Sequence, residues 1–199
     1  MDPTEIILLD GGMGTMLQAA GLPLGELPEV WNVMQPQTVS AIQRRYAEAG
    51  SKVLYTNTFG ANRCKAAGCG YGVEELVTAG VRCARRAAEG FDGVRVALDI
   101  GPTGRLTEPL GALGFEEAYD IFREIVTAGA AAGADLVVIE TMSDLGEMRA
   151  AVLAAKENCD LPVWATMTFE ASGRSFLGVT VGAMALTLTG VGVDALGFN

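Results

Sequence analysis

The stretch Leu8-Leu9-Asp10-Gly11-Gly12-Met13-Gly14-Thr15 sets a carboxylate directly before a glycine pair. An apolar run, Ile6 to Leu9, leads into it, and an amphipathic segment follows. Glycine-rich turns after a strand often cradle phosphate. A P-loop, however, needs Gly-Lys-Ser/Thr, and no lysine is present here. A dinucleotide loop needs G-x-G-x-x-G; Gly12 and Gly14 fit, but the third position is Leu17. Asp10 would also meet a phosphate with like charge. Another chemistry suits these residues better. Gly11 and Gly12 let backbone N–H groups face a ligand carboxylate, and Asp10 beside them can take a ligand ammonium. Both contacts together fit an α-amino acid. A plain tight turn with Asp10 capping the next helix uses the same residues.

Other polar residues close apolar runs in the same way. Glu140 ends Leu136-Val137-Val138-Ile139, where a carboxylate must either be paired or face a cavity. It reads as a second grip on a substrate ammonium, with a salt bridge at the rim as the alternative. Asn57 follows Val53-Leu54-Tyr55-Thr56 and needs a hydrogen-bond partner, from a ligand or from a neighbouring loop. Asp99, in Val94–Ile100, reads as a further rim carboxylate. Asp144 reads as a helix cap, since the apolar periodicity of a helix begins just after it. Histidine is absent, which removes Ser-His, Cys-His and His-ligated metal mechanisms. The four cysteines, Cys64, Cys69, Cys83 and Cys159, do not have zinc-knuckle spacing and read as reduced, partly buried side chains.

These residues need elements to hold them. Six short apolar runs, at 6–9, 53–59, 94–100, 136–141, 163–169 and 195–199, read as strands buried on both faces. Between them lie helical patterns. Val39, Ile42 and Tyr46 share one face; so do Ala118, Phe122, Ile125 and Ala128, and so do Met148, Ala151, Val152 and Ala155. A fourth helix is expected over 74–89. The phrases EAGSKVL, AAGADLV and GVGVDAL each read as a helix-capping glycine followed by a strand. Repeated βα units imply parallel strands with helical crossovers. Polar residues at the carboxyl end of every strand suit the active face of a (β/α)8 barrel better than the single switch point of an open sheet. Six strands against eight make it an incomplete α/β barrel of TIM type, with residues 1–199 as one domain.

Net charge is −10 over 199 residues, which argues against nucleic-acid or anionic-membrane partners. No basic leader or membrane-length apolar run is visible, so a cytoplasmic location is expected.

Taken together, LLDGGMGTML, YTNTFGAN, IGPTGR, VIETMSDL and DALGFN resemble the homocysteine S-methyltransferase family. They look most like its branch in the homocysteine-binding domain of cobalamin-dependent methionine synthase. The resemblance spans Ile6 to Asn199. It implies a (β/α)8 barrel that transfers a methyl group to the zinc-activated thiolate of homocysteine, with methylcobalamin as the methyl donor. It places the amino group of homocysteine on Asp10 and Glu140 and its carboxylate at Gly11 and Gly12; Asn57 stands beside them as a candidate substrate-binding residue on its strand-end position alone. It also places the zinc on three cysteines, the first directly after Gly197-Phe198-Asn199 and the other two later. None of the four cysteines present occupies such a position. The expectation is therefore a chain that stops short of its metal ligands and is inactive alone, with cobalamin or folate modules as partners. The alternative is a non-catalytic binding module that self-associates through open barrel edges.

Overall fold

The computed structural model describes residues 6–199. Its sheet has five parallel strands in sequential order: β1 (Val53–Tyr55), β2 (Arg95–Ile100), β3 (Leu136–Met142), β4 (Val163–Met167) and β5 (Ala195–Phe198). Helices connect them: α4 (Val73–Ala88) joins β1 to β2, α5 (Phe115–Ala131) joins β2 to β3, α6 (Leu145–Asn158) joins β3 to β4, and α7 (Val181–Gly190) joins β4 to β5. Before β1 come α1 (Met13–Ala19), a 3-10 turn (Pro28–Val30), α2 (Trp31–Met34) and α3 (Pro36–Glu48). The chain is an α/β protein of incomplete-barrel form.

The first expected strand is reduced to one parallel bridge, Leu9 to Val53. Two backbone hydrogen bonds hold it, from Lys52 N–H to Leu8 O (2.8 Å) and from Asp10 N–H to Val53 O (3.1 Å). Ile6 and Leu8 stay exposed, so little burial reinforces a longer ladder there. The second strand is also shorter than expected and ends at Tyr55, which leaves Asn57 in the following loop.

The capping glycines behave as their phrases suggest. Gly50, Gly133 and Gly192 have φ of 105°, 94° and 78°, a left-handed conformation that reverses the chain after α3, α5 and α7. Asp144 caps α6, its Oδ1 accepting from the backbone N–H of Gly146 at 2.7 Å. Glu74 and Glu75 open α4, and Arg85 and Arg86 close it, each complementing the helix dipole.

Strand alternation divides the core into two faces. Val96, Leu98 and Ile100 of β2, and Val137 and Ile139 of β3, point outward into the large cluster built with α4, α5 and α6. Ala97, Leu136 and Val138 join Val53 in a second, inner cluster, against which Ile7, Tyr55 and Trp164 pack. Asp99 follows Ala97 by two residues, and Glu140 follows Val138 by two. The period of the strand thus carries both carboxylates to the inner face at its carboxyl end. β5 departs from the buried-strand expectation: Leu196 and Phe198 are 42% and 67% exposed, because β4 is the strand it pairs with among the described residues.

Candidate amino-acid site

A cavity of about 590 Å³ opens at the carboxyl end of the sheet. All five residues singled out as substrate-binding, Asp10, Gly11, Gly12, Asn57 and Glu140, line it, as does Asp99.

Asp10 does not cap α1. Gly12 holds the N-cap position without a side-chain bond, and Asp10 Oδ2 instead accepts the backbone N–H of Tyr55 at 2.8 Å. That bond ties the glycine turn to the end of β1 and leaves the carboxylate in the cavity wall. Burial, opposed by this hydrogen bond and reinforced by Glu140, raises the Asp10 carboxyl to about 7. At Gly11 an added Cβ would lie 2.9 Å from the Tyr46 ring, so the turn lies flat on that ring only because Gly11 has no side chain. The Tyr46 hydroxyl donates to Gly12 O at 3.2 Å.

β3 is irregular just after Glu140. The register with β4 shifts between Ile139 and Met142, and Thr141 adopts φ 60°. A β-branched residue with positive φ is a strained conformation. The bulge lets Glu140 and Thr141 both face the cavity while Met142 returns to the outer core. Burial raises the Glu140 carboxyl.

Asn57 is held by its neighbours. Its Nδ2 donates to Pro28 O (2.8 Å) and to Asn32 Oδ1 (3.0 Å), and its carbonyl accepts from Asn32 Nδ2 (2.7 Å). Of the two readings of this residue, the neighbouring-loop partnership is the one these bonds display, and Asn57 lines the cavity as part of that strut.

Glu29, Tyr55, Phe59 and Lys65 also line the cavity and were not singled out from the sequence. Glu29 is 2% exposed and accepts the backbone N–H of Gly60. Lys65 lies with Nζ 5.0 Å from the centre of the Phe59 ring. Burial lowers its ammonium, while Glu29, Glu147 and Asp99 oppose that. Glu29 and Lys65 sit in irregular loops, where no periodicity flags a residue as facing inward.

Among the described residues, no three His, Cys, Asp or Glu side chains converge in a way that could hold a metal. The cysteines lie apart. Cys83 is buried beside Asn32 O and Pro36 O, Cys69 approaches Tyr71 O, and Cys159 bonds Ala155 O within α6. These residues do not fit the zinc that the family resemblance implies.

Fold and site together define a parallel, barrel-type α/β chain with an acidic cavity at the carboxyl end of its strands. The homocysteine S-methyltransferase family model matches residues 7–199, and the chain belongs to that family. It is 31% identical, over 98% of its length, to the methionine synthases of Mycobacterium tuberculosis and Mycobacterium leprae, and spans 18% of the length of each. The metallated form of the homocysteine methyltransferase MmuM from Escherichia coli superposes with a TM-score of 0.87 at 26% identity. This match covers all of the present chain and 75% of that one. The oxidized form of MmuM gives 0.86.

Proposed function

We propose that this chain is the homocysteine-binding part of a methyltransferase that converts homocysteine to methionine. The observation that carries this reading is the convergence of Asp10, Glu140 and the Gly11–Gly12 backbone on one cavity, in a chain of this family. Asp10 and Glu140 take the substrate ammonium. The Gly11 and Gly12 N–H groups take the α-carboxylate, and the apolar wall around Leu9, Met13 and Phe59 receives the methylene chain. Methylcobalamin is the proposed donor, supplied by other domains or proteins, on the resemblance of the sequence motifs. The cytoplasm is the proposed location; no helix of the described residues is long and apolar enough to cross a membrane. The four cysteines are given no part in activating the thiol, and these 199 residues alone are proposed to bind the amino acid without turning it over.

Titration calorimetry with L-homocysteine tests the reading. Binding by the unmodified chain is expected, with a loss of about tenfold or more in Asp10→Asn and in Glu140→Gln, the scale of one hydrogen bond to a charged group. Absence of binding to the unmodified chain would overturn it.

A further inference from the structure

Two buried carboxylate oxygens in the cavity wall, Asp99 Oδ1 and Glu29 Oε2, find no hydrogen-bond partner among the described residues. A buried acceptor without a donor is costly, and native structures seldom leave one. The two have different surroundings. The cation that acts on Glu29 is Lys65, and its other oxygen is satisfied by Gly60. Asp99 is 6% exposed and lines the cavity with Glu140, Asp10, Glu29 and Lys65. Asp99 pairs across the sheet with Val138, and Glu140 is two residues beyond Val138 on the adjacent strand, so Asp99 belongs with the proposed ammonium-binding pair.

An α-ammonium group has three N–H donors, as a lysine ammonium does. Asp10 and Glu140 can accept two. The inner-face position of Asp99, two residues beyond Ala97 on β2, sets a third acceptor at the floor of the same cavity.

We infer that Asp99 is a third substrate-binding carboxylate, taking the remaining ammonium hydrogen of the amino-acid substrate and so selecting for a free α-amino group. The inference rests on the proposed homocysteine reading and names a residue which that reading does not use. Glu140, Asp10, Glu29 and Lys65 are the charged groups that face Asp99. With three carboxylates around one ammonium, the empty site holds at least one of them protonated, and ligand binding releases that proton.

The test compares two ligands: L-homocysteine and 4-sulfanylbutanoate, which is homocysteine without its amino group. Asp99→Asn is expected to weaken homocysteine about ten- to a hundredfold, while 4-sulfanylbutanoate binds as before or more tightly. It is also expected to reduce the proton release measured by calorimetry in two buffers of different ionisation enthalpy. Equal weakening of both ligands would mark Asp99 as merely structural, and no change in either would remove it from the site; both outcomes overturn the inference. Asp99→Ser repeats the comparison should the asparagine variant fail to fold. If the unmodified chain binds both ligands equally, the homocysteine reading fails and the assignment of Asp99 with it; a preference that Asp10→Asn weakens and Asp99→Asn leaves intact overturns the assignment of Asp99 alone.

Discussion

Asp10 carries opposing demands. Its carboxyl is raised to about 7 because the fold buries it beside Glu140, yet it must be ionised to hold an ammonium. In the empty protein the folded state therefore binds this proton more tightly than the unfolded chain does. The resulting stability is fully present below the ordinary carboxylate range and is lost as the pH rises toward and through about 7. Burial raises Asp99 and Glu140 as well, so they act in the same direction. Melting temperature is expected to fall between pH 5 and pH 8. Asp10→Asn keeps an acceptor for the Tyr55 N–H and removes the charge, so it should flatten that slope. At pH 8 it should gain about 2–4 °C for each kcal/mol recovered. An unchanged slope would show that Asp10 does not titrate as described. Homocysteine affinity is expected to run the other way, rising from pH 6 to pH 8 as Asp10 ionises.

At the level of elements, the cavity depends on how closely helices approach the sheet. α5 lies so near β2 that a Cβ on Gly129 would come 2.4 Å from Leu98 Cδ2. Leu98 is the outward neighbour of Asp99 on the same strand. Gly129→Ala overpacks this contact and is expected to cost about 1–3 kcal/mol, read as a lowered urea midpoint with an unchanged m-value. α6 is anchored differently. Its cap, Asp144, also accepts the hydroxyl of Thr107, and Glu147 in its first turn accepts both the N–H and the hydroxyl of Thr103. Asp144→Ala is expected to cost about 1 kcal/mol by loss of the cap, read in the same way. A much larger loss would mean that the Thr107 bond organises the whole β2–α5 connection.

At the scale of the whole molecule, among the described residues, β1 has one bridge, to Leu9, on its outer side, and β5 has no strand beyond it. Ile6, Leu8 and Leu9 lie exposed beside β1, and Leu196 and Phe198 lie exposed on β5. Unpaired strand edges carrying apolar side chains are templates for association. The 199-residue chain is expected to self-associate with rising concentration, and Phe198→Lys to shift it toward the monomer in sedimentation velocity. Phe198 rests edge-on against Phe169, with ring centroids 6.4 Å apart, so the substitution removes one aromatic contact and leaves the inner cluster in place. A monomer at all concentrations would remove this reading of the edges.

Much of this molecule could be read from residue order alone. Short apolar runs buried on both faces define β2 to β4, 3.6-residue periodicity defines the inner faces of α3, α5 and α6, and three glycines mark the helix ends, because each of these signals is local. Asp10, Asn57, Asp99 and Glu140 stood out as polar residues closing apolar runs, which the same local pattern makes visible. The sequence could not assign their partners, since partners come from chain segments far apart in order. Only the tertiary structure shows that Asp10 bonds Tyr55 instead of capping α1, and that Asn57 braces the loop at Pro28 and Asn32. The inward turn of Thr141 next to Glu140, and the outward return of Met142, rest on a bulge, a backbone choice that no residue type there announces. Glu29 and Lys65 enter the cavity from loops with no period to read. The lone acceptor on Asp99 exists only because the packed fold sets it in the cavity wall, with no partner among the described residues.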